Sequence, residues 1–189
     1  MIVVFGSIIG YILEKSGGAK RLALALLGSV GKGRPALTLS VIGAVTSIPV
    51  FCDSGFIILS GLNDAVARQS GTRKGVLALS LSAGLYTTHT LVPPTPGPIA
   101  AAGNLGAADY LGTIMLLGLL VAVPTLLVAV AMAKRLGQSL DLEAVVAPEE
   151  MEATLPPLGR SVAPILVPIV LIASGSVLKL LEYAGAGAG

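Results

Sequence analysis

The chain has 189 residues, 54% of them hydrophobic and only 12% charged, with 24 glycines and a formal net charge of +2; its mean hydropathy is +0.90. Soluble domains carry roughly 25% charged residues, so this chain lacks the polar shell of a water-facing globule, and lipid is the medium that stabilises it. So small and scattered a charge, without Trp, excludes a nucleic-acid footprint; one cysteine and no Cys/His cluster exclude disulfides and structural zinc, and no cofactor is implied.

Residues 1–13 are apolar from the start, without a basic n-region or a cleavage site. A helix needs about 20 apolar residues to cross the hydrocarbon. The run is therefore read as the remaining part of a span, or as a re-entrant piece, with Gly6 and Gly10 as a small-residue packing face or as chance spacing. Residues 14–34 place Lys15, Lys20, Arg21, Lys32 and Arg34 around a short apolar stretch, the pattern of an interfacial amphipathic segment.

Residues 35–62 form a long apolar run broken by Pro49 and by Cys52-Asp53-Ser54-Gly55. About 28 residues at about 1.5 Å each would reach about 42 Å, past a hydrocarbon core of about 30 Å, so the run must tilt, break or turn back. Residues 63–75 are polar, with Arg68, Arg73 and Lys74 against Asp64. Positive-inside logic puts this loop and the 14–34 segment on the cytoplasmic side. That favours a hairpin with its tip near Asp53, with a broken helix and loops on opposite sides as the other reading.

Residues 76–92 are long enough to cross with help from neighbours, and Pro93, Pro94, Pro96 and Pro98 follow. Each proline removes a backbone donor and pushes its predecessor toward extended geometry, so residues 93–98 are expected to be non-helical, with helix restarting over 99–104. Residues 113–133 are the clearest span, uncharged, with Pro124 as an expected kink and Lys134 and Arg135 as a basic anchor. The expected organisation is a transmembrane core over 1–135, a polar acidic loop over 136–160, a last transmembrane helix over 161–183 and an Ala/Gly tail over 184–189. The fold class is an all-α polytopic membrane protein with discontinuous or re-entrant helices.

Polarity or broken backbone at membrane depth is costly unless it faces a cavity or a partner, and three features qualify. Asp53 is the only acid in its run, followed by Ser54 and Gly55 where helix is expected to resume at Phe56. Such a restart points free N–H groups and a positive dipole end at an anion or a shared proton; the alternative is an N-cap at an interface. His89, the only histidine, ends an apolar run among Thr87, Thr88 and Thr90. It is either a group that changes charge in a proton-coupled cycle or a satisfied helix-end histidine. The proline loop, with Thr95 and Gly97, suggests a broken helix of the kind that builds transporter substrate sites. No H-E-x-x-H, G-x-S-x-G or P-loop spacing is present, and an intramembrane enzyme has no support.

Ser16-Gly17-Gly18-Ala19, then Pro49-Val50-Phe51-Cys52-Asp53-Ser54-Gly55-Phe56, then His89 with Pro93-Pro94-Thr95-Pro96-Gly97-Pro98-Ile99-Ala100 resemble, in order and spacing, the gluconate:proton symporter (GntP) family. The resemblance implies an inner-membrane, multi-pass permease that takes up gluconate or a related small hydroxy-carboxylate with a proton, in a fold of two inverted repeats. Carried over, it makes Asp53 and His89 candidates for proton coupling or substrate contact, with Ser54, Gly55, Thr88, Thr95, Gly97 and Asn104 beside them. The chain departs from gluconate members at Thr95, where they carry a second histidine, and at residues 90–92, which leaves glycerate or a hydroxy-amino acid open as substrate. Full members are more than twice as long, so the chain reads as a partial one. Its implied partners are an organic-acid anion, protons, the lipid bilayer, and the missing second half of the permease or an oligomeric partner. The rival reading is a non-transporting membrane subunit or degenerate half that packs against a partner chain.

Overall fold

The structure, a computed structural model, describes residues 8, 11–12, 15–30, 33–140, 142, 155–163, 166–167, 170–171 and 174. Among them every regular element is helical: α1 (Gly18–Val30), α2 (Pro35–Thr46), α3 (Cys52–Ser70), α4 (Lys74–Leu91), α5 (Pro96–Asn104), a 3₁₀ turn (Ala108–Tyr110) and α6 (Leu111–Leu136). Two helical stretches among the described residues, Lys74–Asn104 and Ala108–Leu136, are long and apolar enough to cross a membrane. The expectations for Gly6, Gly10, the acidic stretch of 141–154, the end of the last span and the 184–189 tail lie outside the described residues.

The breaks follow from proline chemistry. α2 opens on Pro35, whose missing N–H is no loss in a first turn. The helix ends at Thr46, where the Ser47 N–H still reaches the Gly43 carbonyl. Pro49 then supplies no donor and disfavours helix at Ile48. Phe51 is extended, and α3 begins at Cys52. The expected restart at Phe56 is thus corrected by a full turn, and Asp53 lies in the first turn of α3, not in the break. A second correction concerns residues 63–75. They are not a loop, because α3 continues to Ser70, burying Leu59, Asn63, Val66 and Ala67 at helical spacing while Asp64 and Arg68 stay on its outer side. Gly71, at φ +67, closes the helix with its N–H on the Ala67 carbonyl, a left-handed cap that glycine adopts without strain.

The proline loop shrinks in the same way. Only residues 92–95 are non-helical, with a cis bond between Pro93 and Pro94, whereas Pro96 and Pro98 sit in the first turn of α5. First-turn N–H groups have no intrahelical acceptor, so prolines there cost no hydrogen bond. α6 extends beyond the expected 113–133 at both ends and passes through Pro124.

Contacts fix the directions of the helices. The Asp64 carboxylate meets Lys74 Nζ at 3.1 Å near one end of the α3/α4 pair, and Asp53 meets Tyr86 at the other, so α3 and α4 are antiparallel. Ser40 lies against Gly84 and Ala44 against Thr88, so α2 runs parallel to α4. Gly118 approaches Leu91, and Gly137 approaches Val76, which makes α6 antiparallel to α4. The run from Pro35 therefore turns back at residues 47–51, as the hairpin reading has it. α1 starts beside that turn, where Ala19 and Leu22 pack with Val50, and its far end leads into α2. This corrects the single interfacial segment expected over 14–34. Lys20 and Arg21 lie at the Asp53 end of the bundle, while Arg34 joins Arg68, Arg73, Lys74, Lys134 and Arg135 at the opposite end.

α4 is the central strut. Leu77, Leu81 and Leu85 on it pack with Leu39 and Ile42 of α2, Leu59 and Val66 of α3, and Val130 of α6. In lipid, moving Leu from hydrocarbon onto Leu gains little, and close backbone approach has to hold helices together. The α2/α4 contact has that form: a Cβ on Gly43 would stand 2.6 Å from the Leu81 carbonyl oxygen, and the Thr88 hydroxyl donates to the Ala44 carbonyl at 2.6 Å. α6 closes the group with one narrow stripe, Met115, Gly118 and Ala122, and leaves Leu116, Leu120, Leu127 and Val128 on its open face.

Candidate functional site

Three helix ends meet where α2 stops. The first turn of α3 leaves the N–H groups of Cys52, Asp53 and Ser54 without intrahelical acceptors, since the first helical bond is from Gly55 to Phe51 and no side chain caps the turn. Antiparallel to it comes the last turn and a half of α4, carrying Tyr86 and His89 three residues apart and so on one face. The Tyr86 hydroxyl donates to Asp53 Oδ1 at 2.8 Å. The Cys52 thiol makes a weak, 3.9 Å contact with the same oxygen. One step further along the pair, the Phe51 ring lies 5.7 Å from the His89 ring at 57°. Asp53 of α3 and His89 of α4, separate candidates in the sequence, are thus brought close to one another through Tyr86 and Phe51.

Several polar atoms at this end have no use in the fold. His89 Nδ1, Thr46 Oγ1 and Ser47 Oγ are buried and have no hydrogen-bond partner among the described residues. Leaving such a group unmatched costs roughly 1–3 kcal/mol, so native chains keep few of them without a reason. On α1, Arg21 Nε is likewise buried without a hydrogen-bond partner among the described residues. The arrangement at the break therefore holds one carboxylate, one imidazole, free amides and spare hydroxyls. That set can bind a hydroxylated anion and pass a proton, and it contains no group of three metal-ligating side chains among the described residues.

The other sequence-derived candidates are distributed differently. Ser54 is half-buried in the same first turn as Asp53. Gly55 is turned to packing, because a Cβ there would stand 2.8 Å from Leu85 Cδ2. Thr88 faces α2 through its bond to Ala44. Thr95 precedes α5 and donates its hydroxyl to the Val92 carbonyl at 2.6 Å. With prolines on either side, Gly97 supplies the single free amide between Pro96 and Pro98, and nothing stands within 4 Å of where its Cβ would be. Asn104 is exposed at the far end of α5, about 13 Å from Thr95 at helical rise. Among the described residues, Thr95, Gly97 and Asn104 make no hydrogen bond to Asp53 or His89. Sequence reasoning did not place Tyr86, Phe51, Thr46 and Ser47 at the site; of these Tyr86 carried a signal in its three-residue spacing from His89, and Phe51 in the motif that holds Asp53.

Comparison with known proteins gives consistent matches. The family model described as GntP family permease matches residues 1–188. The chain is similar to a gluconate permease of Pseudomonas aeruginosa, 35% identical over 179 residues, covering 91% of the chain and 39% of the relative. It is similar also to an uncharacterized permease of Haemophilus influenzae, 33% identical over 194 residues, with 95% and 39% covered. The Gnt-II system L-idonate transporter of Escherichia coli is 29% identical over 188 residues, with 95% and 42% covered. The chain spans about two-fifths of the length of these curated relatives. No solved structure matches it.

Proposed function

The chain belongs to the GntP permease family, membrane transporters and not enzymes, and from that premise we propose that it forms part of a proton-coupled symporter for gluconate or a related small hydroxy-carboxylate. The observation that carries this reading is the meeting of Asp53, Tyr86 and His89 at a helix break, beside buried polar atoms with nothing to bond. The free amides of the first turn of α3 and the hydroxyls of Thr46, Ser47 and Ser54 receive the carboxylate and hydroxyl groups of the substrate. Asp53 and His89 carry the proton. The broken helix that opens on Thr95 contributes the Gly97 amide, and Asn104 lines the path further along. The whole protein is a multi-pass inner-membrane permease of inverted repeats, in which the second half, or a partner chain, completes the site.

The test is initial-rate uptake of radiolabelled gluconate, L-idonate, glycerate and D-serine by cells that lack their own uptake systems and express the complete permease, this chain together with the half or partner that completes its site. Uptake of at least one of these is expected, and a protonophore should stop it. Asp53→Asn and His89→Ala should each abolish proton-driven uptake while the protein stays in the membrane. Normal uptake in both variants would remove the site assignment.

A further inference from the structure

We infer that Tyr86 is the positioning residue of this site: its phenol holds the Asp53 carboxylate against α4, one turn before His89, and keeps the two proton-handling groups in register. The inference rests on the proton-coupled reading above. Asp53 is exposed at the first turn of α3, where a short carboxylate with no partner samples several rotamers. Among the described residues, the Tyr86 hydroxyl makes the only hydrogen bond to Asp53 from outside its own helix, and it does so across 33 residues of sequence. Its 2.8 Å length is that of a well-formed O–H···O bond.

The bond is not needed to hold the fold. Tyr86 is 49% exposed, and α3 is already pressed to α4 just beneath it by Gly55 against Leu85. What the phenol adds is direction. With it in place, Asp53 points along the face of α4 that also carries His89, whose ring lies against that of Phe51. The titratable and charged groups at this end are Tyr86 and His89 of α4, Lys20 and Arg21 of α1 and Cys52 of the same helix as Asp53; of these, Tyr86 and Cys52 contact the carboxylate directly. A change at Tyr86 therefore acts on proton coupling through Asp53 and not through a distant charge.

The test is Tyr86→Phe in the complete permease, read by two assays on the same membranes. Proton-driven gluconate uptake should fall about ten-fold, the effect of losing one hydrogen bond to a charged group. Exchange of external for preloaded gluconate, which moves no net proton, should stay within about two-fold of the unmodified protein. Retained exchange shows in the same sample that the variant is folded. Unchanged uptake overturns the inference. So does an equal fall of uptake and exchange, which would mark Tyr86 as a substrate contact or a fold element. Uptake by the unmodified protein that ignores a protonophore would instead remove the proton-coupled reading itself, a different result from either.

Discussion

Gly84→Ala tests the α2/α4 frame on which the site stands. A Cβ at residue 84 would lie 2.8 Å from the carbonyl carbon of Ser40 and 3.0 Å from the Ala44 nitrogen, with the Ser40 oxygen closer still. These are backbone atoms on a packed helix and cannot rotate away. Restoring ordinary contact, which begins at 3.4 Å, requires α2 and α4 to part at that turn by more than the carbonyl carbon at 2.8 Å alone would demand, because the nearer Ser40 oxygen sets the distance. Overpacking of this kind costs about 1–3 kcal/mol. The same displacement stretches the 2.6 Å bond from Thr88 to Ala44, which contributes about 1 kcal/mol when well formed. The sum is about 2–4 kcal/mol, and for a chain of this size about 2–4 °C per kcal/mol gives a fall of about 4–16 °C in the unfolding midpoint. The assay is the fraction of detergent-solubilised protein that remains monodisperse after stepwise heating. Gly103→Ala is the control, since nothing stands within 4 Å of its added methyl and alanine favours the helix by up to about 1 kcal/mol. A Gly84→Ala midpoint within 1–2 °C of the parent, or an equal loss in Gly103→Ala, would refute the reasoning.

Other outcomes follow from single contacts. Thr88→Val keeps the shape of the side chain but leaves the Ala44 carbonyl without its donor; it should lower stability by about 1–2 kcal/mol, and Thr88→Ser should restore most of that in the same heating assay. Lys74→Ala removes the partner of Asp64, but a surface pair of this kind contributes under about 1 kcal/mol, so the midpoint should move by no more than about 3 °C. Gly71→Ala places a Cβ at φ +67 and should cost about 1 kcal/mol without altering transport.

The spans and breaks were largely legible in the sequence because their causes are local. An uncharged run with basic residues after it marks α6, and Pro49 and Pro93-Pro94 mark the two breaks, since a missing N–H acts wherever the chain folds. The exact restarts were not legible. Pro96 and Pro98 break a helix at most positions and are harmless only in a first turn, and nothing in the sequence alone says that Thr95 is the residue before that turn. Residues 63–70 read as a loop because Asn63, Asp64 and Arg68 are polar, whereas the burial of Asn63 beside Leu59, Val66 and Ala67 depends on α4 lying alongside. Of the site, Asp53 and His89 were visible as isolated polar groups in apolar surroundings. The phenol that links one to the other was hidden, because the bond spans 33 residues and depends on two helices running antiparallel.

The parallel course of α2 and α4 has an electrical consequence. Both bring their C-terminal ends to the break, while α1, α3 and α5 bring their N-terminal ends to it. Each helix end carries roughly half an elementary charge, negative at a C-terminus and positive at an N-terminus, so the N-terminal ends outweigh the C-terminal ones. The backbone around Asp53 and His89 is then positive as a whole, which favours an anion beside it. In the proton-coupled symporter proposed above, a proton arriving on either group would add to that positive field and hold the anion more tightly.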